Sequence, residues 1–182
     1  MKTVTSLILP LVFSGFLLTT SCAQTTAPVQ SAQTRDASFS NDDFDLTLGP
    51  NWQRQDNRDG SFEWEDQKDM QELLISVLNA KEPMDAALRR STAKDLIEIR
   101  KKAMNQTAEG KLSLSEVETS EKGDTVEMVI RGLDSAGVQI YNSVIVNPKR
   151  VVILSYYKYS PLFTQNAFRA RTDAIRSALR VH

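Results

Sequence analysis

The chain has 182 residues, 41% hydrophobic and 25% charged, with 22 Lys and Arg against 23 Asp and Glu. That balance fits one soluble globular domain, and with 7 Gly and 6 Pro it is neither collagenous nor depleted enough in apolar residues to be disordered. A net charge of −1 gives no pull toward nucleic acid, and one His and one Cys exclude a Cys/His zinc site and any disulfide within the chain. A Ser-His-Asp or Cys-His nucleophile system would have to draw on His182, so no catalytic, metal-binding or cofactor-binding constellation is expected.

Lys2 precedes the apolar run from Leu7 to Leu18, which contains Pro10 and Gly15. The run falls short of the roughly 20 apolar residues that a spanning helix needs, and residues 1–21 read as a signal peptide. Thr19-Thr20-Ser21-Cys22 resembles the lipobox of bacterial lipoproteins, in which the Cys is lipidated and becomes the mature N-terminus. Thr19 stands where that pattern prefers Leu, and Leu18 lies one place further back. The resemblance implies a lipid anchor on Cys22. Because Ala23 and not Asp follows, it also implies sorting to the outer membrane, facing the periplasm. Residues 22–41 then form the lipidated Cys and a flexible tether, since their small polar side chains bury too little surface to offset ordering.

Residues 42–182 are expected to be a single domain. Phe44 to Leu48 alternates as a strand does and is stopped by Gly49-Pro50. Ser61 to Glu65 alternates again, placing Glu63 and Glu65 on the face opposite Phe62 and Trp64. Glu72 to Leu78 is a more continuous apolar run, as a central strand would be. Pro83 suits a first helical turn, and Met84, Leu88, Leu96, Ile99 and Ala103 recur at helical spacing before Gly110. Their spacing predicts a buried stripe, with Arg89, Arg90, Lys94, Arg100 and Lys101 mostly on other faces.

Four further strands are expected at Leu112 to Val117, Thr125 to Arg131, Val138 to Val146 and Val151 to Tyr157, with turn-forming residues between them. Short connections make neighbouring strands antiparallel. Ser160-Pro161 opens a closing helix whose Phe163, Phe168, Ile175 and Leu179 face inward, while Arg169, Arg171, Arg176 and Arg180 face outward. The fold class is α+β: a mostly antiparallel sheet of about six to seven strands with helices packed on it.

This order resembles the PsbP-like and DcrB-like superfamily, an α/β/α sandwich. An opening strand runs into the Pro50 and Trp52 turn, and a last strand (Val151 to Tyr157) runs through Ser-Tyr-Tyr-Lys-Tyr-Ser-Pro into a closing helix. The resemblance implies a non-enzymatic protein-binding or assembly role, and it carries over no metal ligand and no partner.

Other patterns weigh less. Gln55, Asn57, Asp59, Gly60 and Asp66 approach a calcium loop, but a neutral first ligand, a short last acid and flanking strands make a solvated hairpin the better reading. Acids at Asp42, Asp43 and Asp45, and at Glu63, Glu65, Asp66 and Asp69, read as polar surface. The helical Lys and Arg read as solvated faces balanced by Asp85, Asp95, Glu98 and Asp173. Trp52, Tyr156, Tyr157 and Tyr159 are the candidate partner-binding surface. The expected function is that of a cell-envelope lipoprotein, held to the membrane by its lipid and binding an unidentified envelope protein, with no nucleic acid involved. The alternative is a periplasmic inhibitor or immunity-type lipoprotein that blocks a toxin or hydrolase.

Overall fold

The structure, a computed structural model, describes residues 37–56, 61–108, 110–160 and 164–182. Cys22 and the rest of residues 1–36, together with Asn57, Asp59, Gly60, Pro161 and Phe163, lie outside the described residues. Eleven strands and two helices occur among those described. In order they are β1 (Ala37–Ser40), β2 (Phe44–Leu48), β3 (Gln53–Asp56), β4 (Phe62–Asp66), β5 (Gln71–Asn79), α1 (Ala86–Thr107) and β6 (Leu112–Leu114). There follow β7 (Glu118–Lys122), β8 (Thr125–Asp134), β9 (Val138–Val146), β10 (Arg150–Tyr159), α2 (Gln165–Ala178) and β11 (Leu179–Val181).

The large sheet runs β3-β4-β5-β10-β9-β8-β6, with β7 also paired to β8, and a small sheet runs β1-β2-β11. Every pairing is antiparallel. Alternation along each strand divides the apolar residues between two cores. Trp64, Leu73, Ile75, Tyr141, Ile145 and Leu154 project toward Phe168 and Ile175 of α2 and toward Phe44, Leu46 and Leu179 of the small sheet. Ile130, Ile140, Val144 and Val146 project the other way, under Ala93, Ile97 and Met104 of α1. The result is an α+β sandwich in which one large antiparallel sheet separates two helical layers.

Helix α1 can approach β8 closely because position 132 is glycine. A Cβ there would stand 2.8 Å from the Met104 methyl and 3.1 Å from a Leu114 methyl. Asp85 caps the helix by accepting from the Leu88 amide at 2.8 Å. The helix therefore starts at Ala86, and Pro83 precedes it instead of filling its first turn.

The inward stripe of α1 also differs from the one expected. Arg89, Ala93, Ile97 and Met104 are buried, whereas Leu88 and Ile99 are 51% and 57% exposed. Arg89 turns inward, its guanidinium donating to the Met84 carbonyl at 2.7 Å and lying 3.5 Å from the Asp124 carboxylate, a partial compensation that spacing alone does not reveal.

Three strands replace other expectations. β1 occupies the end of the stretch read as tether, because Phe39 packs at 5.2–5.6 Å from the rings of Phe44, Phe62 and Trp64; the fold begins before residue 42. β7 has no apolar side and is exposed throughout, so only its backbone pairing with β8 defines it. Leu179 is buried as expected, but in β11, since the chain leaves α2 after Ala178 to pair with β2. α2 itself is capped by Thr164, downstream of Ser160-Pro161.

Candidate functional site

The two faces of the large sheet are covered unequally. On the α2 side the closing helix and the small sheet pack over β4, β5, β9 and β10. Of the arginines expected on the free side of α2, three reach back to the sheet, Arg169 among them by pairing with Glu118 of β7 at 3.2 Å. Arg176 donates to Glu127 at 2.6 Å, and Arg171 to Gln71 at 3.4 Å. On the other side α1 packs chiefly on β8 and β9, and Val151 and Ile153 of β10 join the same core.

The border of its coverage is polar. Arg100 of α1 donates to Asn142 of β9 and to Ser155 of β10, each at 2.9 Å. Beyond that line, among the described residues, β5, β4, β3 and the end of β10 bearing Tyr157 and Tyr159 form an open face of half-buried and exposed side chains.

Register decides what the open face carries. Tyr157 stands opposite Glu72, Glu65 opposite Glu72 on the other side, and Gln53 opposite Glu65. Glu63 lies opposite Leu74 and Gln55 opposite Glu63. Directly opposed residues project to the same side of an antiparallel pair, so these side chains share one surface with Tyr159. The rings of Tyr157 and Tyr159 stack at 6.3 Å and 14°. The Tyr159 hydroxyl donates to Glu72 at 2.8 Å, and the Gln55 amide donates to Glu65 at 3.3 Å. Leu78, on the same face at the far end of β5, is 53% exposed. Burial, followed by the charges of Glu63 and Glu65, raises the Glu72 carboxyl above its ordinary range against the lowering effect of the Tyr159 hydrogen bond.

The four aromatic residues singled out in the sequence therefore separate. Tyr157 and Tyr159 share the open face. Trp52 and Tyr156 do not belong to any surface: they are 5% and 0% exposed and face the α2 core. The physical reason is the period of two along β10, which sends Tyr156 to the opposite side from its neighbours. Its ring stacks on Phe168 at 5.6 Å and its hydroxyl donates to Gln71 at 2.7 Å. Burial pushes the Tyr156 phenol up to about 12. Trp52 closes a turn onto the Gly49 carbonyl and lies 6.4 Å from the Tyr156 ring.

Glu65 and Glu72 are the residues whose role sequence patterning missed. Glu72 recurs in step with Leu74 and Ser76, but the nearly continuous apolar run that follows hides it. Of the calcium-like pattern, Asp66 is buried, accepting from Gln71 at 3.0 Å and from the Asp69 amide at 3.1 Å. Among the described residues no group of three or more His, Cys, Asp or Glu could hold a metal ion.

A cleft of about 340 Å³ lies between β6, β8 and the start of α2. Its one acid, Glu118, is paired with Arg131 at 2.8 Å and Arg169 at 3.2 Å. Among the described residues no helix is long and apolar enough to cross a membrane.

The architecture is PsbP-like. It is similar to the solution structure of cyanobacterial PsbP (CyanoP) from Synechocystis sp. PCC 6803, with a TM-score of 0.63 and 11% identity over 87% of this chain and 99% of that one. A crystal structure from Bacteroides thetaiotaomicron VPI-5482 overlaps with a TM-score of 0.43 and 11% identity over 76% of this chain and 45% of the other. No family model and no curated protein matches the sequence.

Proposed function

We propose that this chain is a cell-envelope lipoprotein, anchored through Cys22 to the outer membrane, that acts as a non-enzymatic protein-binding or assembly module through its open sheet face. One observation carries the reading. Among the described residues the closing helix and the small sheet pack over β4, β5, β9 and β10 on one side of the sheet, while on the other side the β5-β4-β3 end lies beyond α1 and shares its surface with a stacked tyrosine pair. Tyrosines supply large, stiff contact area at small entropic loss and concentrate where partners bind. The anchor rests on Lys2, the apolar run to Leu18, and Ser21-Cys22-Ala23. Three acyl chains on one residue would hold the chain at a bilayer essentially permanently. No catalytic step enters the reading. Glu72, the one carboxylate among the described residues held above its ordinary range, lies on an open face and not in a cleft.

Two experiments test it. A photo-crosslinking residue at position 159 or 78 of the full-length chain should trap a discrete envelope protein in cells, and one at position 88, on the outer side of α1, should not. Equal trapping at all three positions rejects the open face as the binding surface. Cys22→Ser should leave the chain unlipidated, released from membranes or retained as precursor. Parent-like membrane fractionation of a processed Cys22→Ser chain rejects the anchor.

A further inference from the structure

We propose that the occupant of the open face is a lysine- or arginine-bearing segment of an envelope protein, held between Glu65 and Glu72 and stacked on Tyr159. The proposal rests on the reading of that face as the binding surface and adds the chemistry of what binds. Glu65 and Glu72 stand directly opposite each other on neighbouring strands. Like charges so placed are roughly 5 Å apart at their Cβ atoms and oppose folding. Among the described residues neither is in an ion pair: Glu65 accepts from the Gln55 amide and Glu72 from the Tyr159 hydroxyl. Glu63 extends the same surface from two residues along β4.

Other acids of the large sheet are treated differently. Glu118 and Glu127 are met by arginines of the same fold, at 2.8 and 2.6 Å. Both of those pairs lie on the α2 side, where Asp66 is held instead by Gln71 and the Asp69 amide, whereas among the described residues the two opposed carboxylates of the open face meet no cation. A cation from outside is the group that completes the face. A guanidinium suits it best, because its fork pairs with carboxylates in plane while its flat side stacks on a tyrosine ring. Anionic lipid headgroups are repelled by the same carboxylates, and among the described residues no group of ligands converges for a metal ion.

The arrangement has a signature that a purely structural surface lacks: removing the charges stabilises the free domain while weakening the complex. The test uses the full chain in neutral detergent and a fluorescent peptide of alternating Gly and Arg, read by anisotropy. A citrulline version of the peptide is the uncharged control. Glu65→Gln with Glu72→Gln should weaken binding of the arginine peptide about tenfold or more and raise the thermal midpoint of the free chain. Asp95→Asn, on the exposed side of α1, should change neither. Tyr159→Ala should weaken binding as well, and added salt should weaken it throughout.

The proposal is overturned if the double variant binds as the parent does, or if Asp95→Asn lowers affinity equally. It is also overturned if the citrulline peptide binds as well, if calcium alone occupies the face, or if sedimentation shows a second copy there that the double variant releases. Crosslinking at position 159 that persists in the double variant would reject the cationic partner while leaving the binding face itself in place.

Discussion

Glu72 shows how a single side chain can carry a penalty that the fold retains. Half-buried, and facing Glu63 and Glu65, its carboxyl is raised from the ordinary glutamate range, with the Tyr159 hydroxyl opposing the shift in part. The sign of its effect on stability follows from linkage. The unfolded chain loses this proton at lower pH than the folded one, so the native state is favoured below the ordinary glutamate value and loses stability as pH rises through the raised one. Glu72→Gln should therefore stabilise the domain at neutral pH by about 0.2–1 kcal/mol, the range for relieving one opposed like-charge pair. The gain should shrink toward zero in mild acid, where the parent carboxyl is protonated. Urea melts of parent and variant across that range measure both statements. A gain that stays constant down to acid pH would remove the charge from the account and leave only packing.

At the scale of elements, the closing helix is held by two unlike contacts. Phe168 and Ile175 are each 4% exposed in the core, while Arg176 reaches Glu127 at 2.6 Å, with side chains 29% and 15% exposed. Ile175→Ala should cost about 2–5 kcal/mol through the cavity it leaves. Arg176→Ala should cost about 1–3 kcal/mol, more than a solvated arginine would, because Glu127 is left desolvated beside Ser143. A double-mutant cycle of Arg176→Ala with Glu127→Gln isolates that pairing, and a coupling near zero would return Arg176 to solvent. On the opposite layer, Gly132→Val should lower stability by about 1–3 kcal/mol by pressing Met104 and Leu114 off β8. Thermal melts of that variant check the close approach of α1. Which elements exist was largely legible in the sequence, because Phe44 to Leu48, Ser61 to Glu65 and the later strands carry alternation or turn signals. The strands that escaped lack such signals. β7 is exposed on both sides, β11 continues the register of a helix, and Phe39 is one ring in a polar stretch. Helix faces were less legible than strands, since Arg89 turns inward onto a backbone carbonyl just ahead of the helix and Arg100 onto Asn142, distant in sequence. Of the site, Tyr157 and Tyr159 were readable as residue types, but their separation from Tyr156 and their meeting with Glu72 depend on pairing between strands 85 or more residues apart.

The whole molecule is two cores sharing one sheet, and whether they melt together is decided by the strands they share. β9 sends Tyr141 and Ile145 to the α2 side, and Ile140 and Val144 to the α1 side. β10 is divided in the same way, with Leu154 and Tyr156 on one side and Val151 on the other. Loosening either layer therefore strips one face of the same two strands, and neither core retains a complete wall without the other. The sequence also supplies a convenient pair of probes. Both Trp residues, Trp52 and Trp64, lie in the α2-side core, so tryptophan fluorescence reports that core, whereas the longer helix α1 dominates helical circular dichroism. The expectation is a single cooperative transition, with the two signals coincident in urea. Met104→Ala provides the sharper form of the test: it opens a cavity only beneath α1, where Met104 is 2% exposed, and should cost about 2–5 kcal/mol. Because the wall is shared, the tryptophan signal on the far side should shift by the same amount as the helical signal, with an unchanged slope. If the helical signal moves alone, α1 unfolds as a separate layer, and the open face beside it is bounded by a movable helix instead of a fixed one.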